Sequence, residues 1–236
     1  MARSGGEGVA ERVPLSRDRV LQAAVAVADA GGIAALTIRS LAAELGVKPM
    51  SVYHYVANKD EILDGIVDLV FGEFELPAAG GDWQHEMRRR ASSARRVLRR
   101  HPWATPLLQS RLNAGPATLR HHNAMLGALR AAGFSVEQTA HAFALIDSYL
   151  YGFAMSETAL PIHGPESVAD LAGSMMERFS AAEYPHLVEF TVEHIMQPGY
   201  DFGEEFDFGL TLILDGLARS LPAEDAASSA ASRRRG

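Results

Sequence analysis

Residues 37–59 read TIRSLAAELGVKPMSVYHYVANK. Leu36, Ile38, Leu41, Ala42 and Leu45 recur at helical spacing behind Thr37, which has the hydroxyl of an N-cap. Gly46 stands where a left-handed residue ends such a helix. A second short helix must begin almost at once, because Pro49 fits a first turn, where its missing N–H would be unpaired anyway. Val52 and Val56 turn inward. Lys48, Pro49, Met50, Ser51, Tyr53 and His54 are left pointing out. A helix, a tight glycine turn and a second helix showing a lysine, a hydroxyl and aromatics to solvent make a helix-turn-helix whose second helix enters a groove.

Charge places nucleic acid at this end of the chain. The 236 residues carry a formal net charge of −7, so a DNA binder must keep its cations local. Residues 1–59 hold 7 of the 22 Lys and Arg but only 5 of the 29 Asp and Glu, net +2, which leaves 15 against 24, net −9, beyond Lys59. The acidic remainder repels DNA, which argues against a structural binder of the nucleoid kind. No cysteine is present, so disulfides and thiolate metal sites are excluded together. No apolar run spans a bilayer and no charged-then-apolar leader opens the chain, so a soluble, cytoplasmic protein is expected, with no membrane partner.

Outward from the core stretch, residues 1–15 are rich in Gly, Glu and Arg, have no burying period and read as a disordered arm. Ser16 caps a helix to about Ala30 with Val20, Ala24, Val27 and Ala28 inward, and Gly31-Gly32 stops it. Asn58 caps the next helix, with Glu61 placed to close a capping box. That helix runs through Ile62, Ile66, Val70 and Phe71 to Phe74, too apolar for a surface helix, and so is a rod joining a small head to a larger body. Helical patterns follow at 82–100, 103–112, 117–132, 135–159, 166–182, 185–196 and 204–221, and 222–236 reads as a disordered tail. No alternating strand is persuasive, so the chain is all-α: head 16–60, body 61–221.

The order T-x-R-x-L-A-x-x-L-G-V, then S-V-Y-H-Y and N-K-D-E-I-L, resembles the DNA-binding domain of the TetR family of bacterial transcriptional repressors, gap-free from about Leu36 to Asp64. HPWATPLL at 101–108, the stretch from Leu126 to Glu157, and FDFGLTLILDGL at 206–217 look like the ligand-binding and dimerisation domain of the tetracycline-repressor-like subgroup. The resemblance implies a homodimeric repressor released from a palindromic operator by a small-molecule effector. A DNA-binding protein blind to any effector, or a helical-bundle enzyme, are the alternatives.

Residue chemistry and motif position together assign roles in the head. Arg39 can donate bidentately to guanine, while Lys48, Pro49, Met50 and Ser51 offer a donor, apolar surface and a hydroxyl to base edges. Thr37, Tyr53, Tyr55 and Lys59, with His54 beside them, suit phosphates, which fix register without reading sequence.

In the body, an effector pocket is expected among Trp103, Leu107, Arg111, His122, Met125, Phe143, Asp147, Tyr151 and Phe153. Asp147 interrupts a stripe of Val136, Ala140, Phe143, Leu150 and Ala154. A carboxylate there needs a partner: a basic ligand, or an arginine of the same domain or of the dimer mate. The resemblance assigns the dimer interface to the long helix and the last one, through Tyr149, Gly152, Met155, Phe206, Phe208, Leu210, Ile213, Leu214 and Leu217. The family's drug-binding and metal-ligand histidines fall near Phe74 and Leu108, and its pocket amide matches Met125. No metal or cofactor is therefore expected, and the effector is larger and more apolar than a magnesium–tetracycline complex. The seven arginines of 88–100 read as a solvated, internally paired face. Nine histidines form no i, i+4 metal pair, and G-x-S-x-G, P-loop and dinucleotide motifs are absent, so catalysis is not expected.

Overall fold

The structure, a computed structural model, describes residues 14–111, 113–160, 173 and 181–221. The arm before Pro14, the tail after Leu221, and most of the helix predicted at 166–182, with Met176 on it, lie outside the described residues.

Helix starts are set by local side-chain chemistry. In α1 (Arg17–Ala35) the Ser16 hydroxyl accepts the Arg19 N–H at 3.2 Å, and Gly32, at φ 72°, interrupts the helical path where the glycine pair predicts a stop. In α2 (Ile38–Leu45) Thr37 and Ser40 form a reciprocal capping box, and Gly46 ends the helix at φ 65°, ψ 33°. α3 (Pro49–Val52) is a single turn, with Val52 and Val56 buried beneath it.

The linking helix α4 (Lys59–Gly72) starts from Asn58, whose Oδ1 accepts the Glu61 N–H at 2.9 Å. Glu61 does not close the expected box at Asn58. Its carboxylate accepts the Ala57 N–H at 2.7 Å and the Arg17 Nε–H at 3.1 Å, so an arginine of α1 fixes it one residue further back. The helix ends at Gly72, and Phe74 is buried just beyond it. α4 packs on α1 at one end and on α7 at the other. A Cβ on Gly65 would stand 2.6 Å from Leu21 Cδ2, so this glycine permits the α1–α4 approach.

The body holds α5 (Trp83–Arg100), α6 (Ala104–Ser110), α7 (Pro116–Ala131), α8 (Val136–Ala159), α9 (Pro185–Phe190, continued by a π-turn at Thr191–Ile195) and α10 (Glu204–Ser220). α8 is the central post, packed against α5, α6, α7 and α10. Its predicted stripe holds only from Phe143 onward. Val136 and Ala140 are exposed, and Thr139, Ala142 and Ile146 take the buried side of the first turns. No helix among the described residues is long and apolar enough to cross a membrane.

Candidate nucleic-acid interface and effector domain

The head presents one continuous polar face. Thr37 and Arg39 come from the start of α2, Lys48 to Ser51 from α3, Tyr53 to Tyr55 from the turn after it, and Lys59 from the first residue of α4. All are exposed except Ser51, which is half-buried, and Met50 stands out at 71%. Lys48 is the backbone N-cap of α3 but makes no side-chain cap, so its ammonium stays available. The Thr37 hydroxyl is engaged by Ser40, which holds the start of α2 in place.

Most arginines of α5 are neutralised within the chain. On α5, Arg89 bridges Glu75 and Glu86, Arg96 meets Glu75, Arg100 meets Glu73, and Arg95 and Arg99 converge on Glu157. Arg88 donates to the Thr211 hydroxyl. Arg39, Lys48 and Lys59 have no acidic partner among the described residues, so the head's exposed face carries three cations without a counter-charge.

The predicted effector residues fall into three places. Trp103 and Arg111 belong to the joint with the head: the Trp103 indole donates to Asp29 of α1 at 2.6 Å, and Arg111 reaches Asp60 and Asp64 at the start of α4. Half-buried Leu107 lies between them on α6. Phe153 belongs to the α8–α10 contact, stacked on Phe202 at 4.8 Å and edge-on to Phe206 at 5.1 Å, with the Arg95 guanidinium over both Phe153 and Phe206. Asp147 and Tyr151 of α8 lie near one another, Asp147 acts on His122 of α7, and the His122 ring stands 5.3 Å from Phe143, while Met125 is buried on the same α7.

Two residues that the sequence reading missed complete this interior group. Arg90, fully buried, stands 2.6 Å from Asp147 and donates its Nε–H to His121 Nε2 at 3.0 Å. The partner that Asp147 needs is thus an arginine of its own domain. The signal was present: Arg90 interrupts the apolar stripe of Met87, Ala91, Ala94 and Leu98, but the run of arginines around it disguised the one that turns inward. His121 is fully buried, and burial, reinforced by Arg90, pushes its pKa down to about 3. Burial also lowers the His122 pKa, with Asp147 opposing. Phe74 packs edge-on against His121 at 5.4 Å.

An open cleft of about 470 Å³ lies apart from this group, between α1, α4 and α7, lined by Gln22, Leu69, Glu73 and Arg120 among others. Its Asp68 is already used, accepting from Ala117 and Thr118 to cap α7.

The residues assigned to dimerisation divide by face. Phe206, Leu210, Leu214 and Leu217 are buried within the protomer, and Ile213 is half-buried. Tyr149 donates to the carbonyls of Glu205 and Phe206 across a contact that Gly209 leaves open. Gly152, Met155 and Phe208 face outward, joined by Leu145 on α8 and Leu212 on α10.

Comparison with known proteins places these features in a family. Residues 20–66 match the family described as bacterial regulatory proteins, tetR family, and residues 76–221 match the tetracyclin repressor-like C-terminal domain. The HTH-type transcriptional repressor DrrR1 of Streptomyces coeruleorubidus is 36% identical over 86% of this chain and 77% of its own. An HTH-type transcriptional regulator of Saccharopolyspora erythraea is 33% identical over 86% and 85%. ActR of Streptomyces coelicolor, solved in complex with actinorhodin, superposes with a TM-score of 0.74 at 28% identity, covering 91% of this chain and 99% of its own. A cationic face on a helix-turn-helix, carried by an all-α body, accords with these matches over both parts of the chain: it belongs to the TetR family of bacterial transcriptional regulators.

Proposed function

We propose that the protein is a cytoplasmic, ligand-responsive repressor that binds a palindromic operator as a homodimer and leaves it when a small, largely apolar molecule enters the body. Residues 16–60 act as the reading head and 61–221 as the effector and dimerisation domain. The observation that carries this reading is the partition of charge: Arg39, Lys48 and Lys59 are free on one face, while the arginines of α5 are paired internally. Arg39 and the α3 side chains read bases, and Lys59 with the tyrosines holds phosphates. A single short reading turn gives little specificity, so two heads on neighbouring major-groove faces, about 34–36 Å apart, are needed.

Ligand response has support in the chain and in a relative. The body encloses buried polar groups behind aromatic rings, and ActR is solved with actinorhodin. Two contacts can carry a shift to the head, Asp29 with Trp103 and Arg111 with Asp60 and Asp64. Coupling is reciprocal, so DNA weakens effector binding by the factor with which effector weakens DNA binding. The test is fluorescence anisotropy against the gene's own upstream DNA and a scrambled control, titrated with salt. Sequence-selective binding by two protomers per site is expected. Equal affinity for both DNAs would overturn the proposal.

A further inference from the structure

The open cleft of about 470 Å³ has the size of a small-molecule site, roughly 300–1,000 Å³. One wall is the head helix α1, the other is the body helix α7, and the linking helix α4 lies between them. Its apolar lining is aliphatic: Val25 and Leu69 are half-buried, and Ala117 is buried. Gly72 keeps the space open, since a Cβ there would meet only Ala117 Cβ, at an ordinary 3.8 Å.

Three charged side chains line the cleft, and two are already engaged. The Asp68 carboxylate accepts the Ala117 N–H at 3.2 Å, the Thr118 N–H at 2.8 Å and the Thr118 hydroxyl at 3.0 Å. The Glu73 carboxylate is held by Arg100 and faces His101 Nε2 at 3.3 Å. Arg120 is exposed and has no acidic partner among the described residues. The exposed Gln22 amide, on α1, likewise has no hydrogen-bond partner among them. The cleft therefore offers one uncommitted cation and one uncommitted amide beside an aliphatic floor.

We infer that this cleft is a ligand site separate from the interior of the body, and that it takes an aliphatic monocarboxylate. The carboxylate lies on Arg120 with the Gln22 amide assisting, and the chain covers Val25 and Leu69. An inorganic anion would leave that apolar surface wet. An ammonium would meet the arginine with both neighbouring carboxylates already occupied. Gln22 and Val25 belong to the head and Arg120 to the body, so a bound carboxylate ties the two together and changes operator affinity. That consequence rests on the repressor reading above.

Hexanoate, hexanamide and hexylamine test this on the full chain, with binding followed by ligand-observed NMR and operator affinity by anisotropy. Hexanoate is expected to bind about tenfold more tightly than hexanamide, and hexylamine more weakly than either. Arg120→Gln should weaken hexanoate about tenfold and leave hexanamide unchanged. Gly72→Leu, which places a side chain in the open space, should weaken both. The two positions are exposed, so both variants are expected to fold. Hexanoate binding alike to wild type and both variants, hexylamine binding as tightly as hexanoate, or no hexanoate binding in the millimolar range overturns the inference. Saturating hexanoate should change operator affinity at least about fivefold in the wild type and not in Arg120→Gln. An unchanged affinity in the wild type overturns the tie between head and body. Failure to bind the operator without hexanoate counts against the repressor reading alone, and the NMR ranking still decides the site.

Discussion

The Asp29 carboxylate of α1 accepts the Trp103 indole N–H at 2.6 Å, and the same oxygen stands 2.7 Å from His101 Nδ1. His101 Nε2 is 3.3 Å from Glu73, just past the end of α4, so head, linking helix and body meet at one joint. Asp29→Ala leaves an indole N–H and an imidazole without their acceptor. A loss of about 1–3 kcal/mol is expected in urea unfolding. The ratio of DNA dissociation constants with and without ligand should shrink as well, and an unchanged ratio would show that the joint carries no coupling.

Arg39 and Lys59 lie on one face of the head but are assigned different tasks. Arg39→Ala is expected to cost about 1–3 kcal/mol on the operator and to relax one base position, with little effect on random DNA. Lys59→Ala should weaken every sequence alike and lower the salt slope by about one. Competition binding with single-base operator variants separates the two, and equal losses on operator and random DNA for Arg39→Ala would refute base reading.

Arg111 fastens α6 to α4 in a pH-dependent way. Its hydrogen bond holds the Asp64 carboxyl below the ordinary 3.8, with Asn113 assisting against the opposing effect of burial. The folded chain therefore binds fewer protons at this site than the unfolded chain does. The stabilisation is complete above pH 3.8 and disappears as pH falls through the lower folded value. Arg111→Ala should cost about 1 kcal/mol at neutral pH. The gap from wild type should close in acid, as followed by urea melts across that range.

His121 adds a second and steeper dependence. Its folded pKa, about 3 against an ordinary 6.5, means that the unfolded chain takes up a proton that the folded chain refuses. Stability from this site is present above 6.5 and declines as pH falls toward 3, by at most about 1.4 kcal/mol per pH unit. His121→Gln keeps an acceptor for Arg90 Nε and cannot titrate. Its unfolding free energy should vary less between neutral pH and mild acid than that of the wild type.

Phe208 and Leu212 are one helical turn apart on α10, 65% and 56% exposed. If they pair two protomers, Phe208→Glu or Leu212→Glu should raise the dimer dissociation constant about tenfold or more while leaving the protomer folded. Leu210→Ala, fully buried between them in sequence, should instead cost about 2–5 kcal/mol of fold stability. Sedimentation velocity and thermal melts report the two quantities independently.

Helix starts were legible in the sequence because caps are local. Ser16, Thr37, Asn58, Asp82 and Ser135 each accept an N–H two or three residues on, and that geometry needs no distant neighbour. The exposed face of the head was legible for a similar reason. In a head this small, burying Leu41, Val52 and Val56 leaves Arg39, Met50 and Tyr53 nowhere to point but outward.

The interior of the body was decided only by tertiary packing. α10 is apolar on several sides, and only its contact with α8 determines that Phe206, Leu210 and Leu214 turn inward while Phe208 and Leu212 face out. Seven arginines on α5 look alike in sequence, yet Arg90 alone is buried, because Asp147 and His121, on two other helices, offer a carboxylate and a neutral ring nitrogen at its depth. Trp103 and Arg111 were assigned to a pocket for their chemistry, but their acceptors, Asp29 and Asp64, come from elements far away in sequence. Caps and periodicity are short-range and therefore written in neighbouring residues, whereas the pairing of buried charge is long-range and is fixed only when the helices meet.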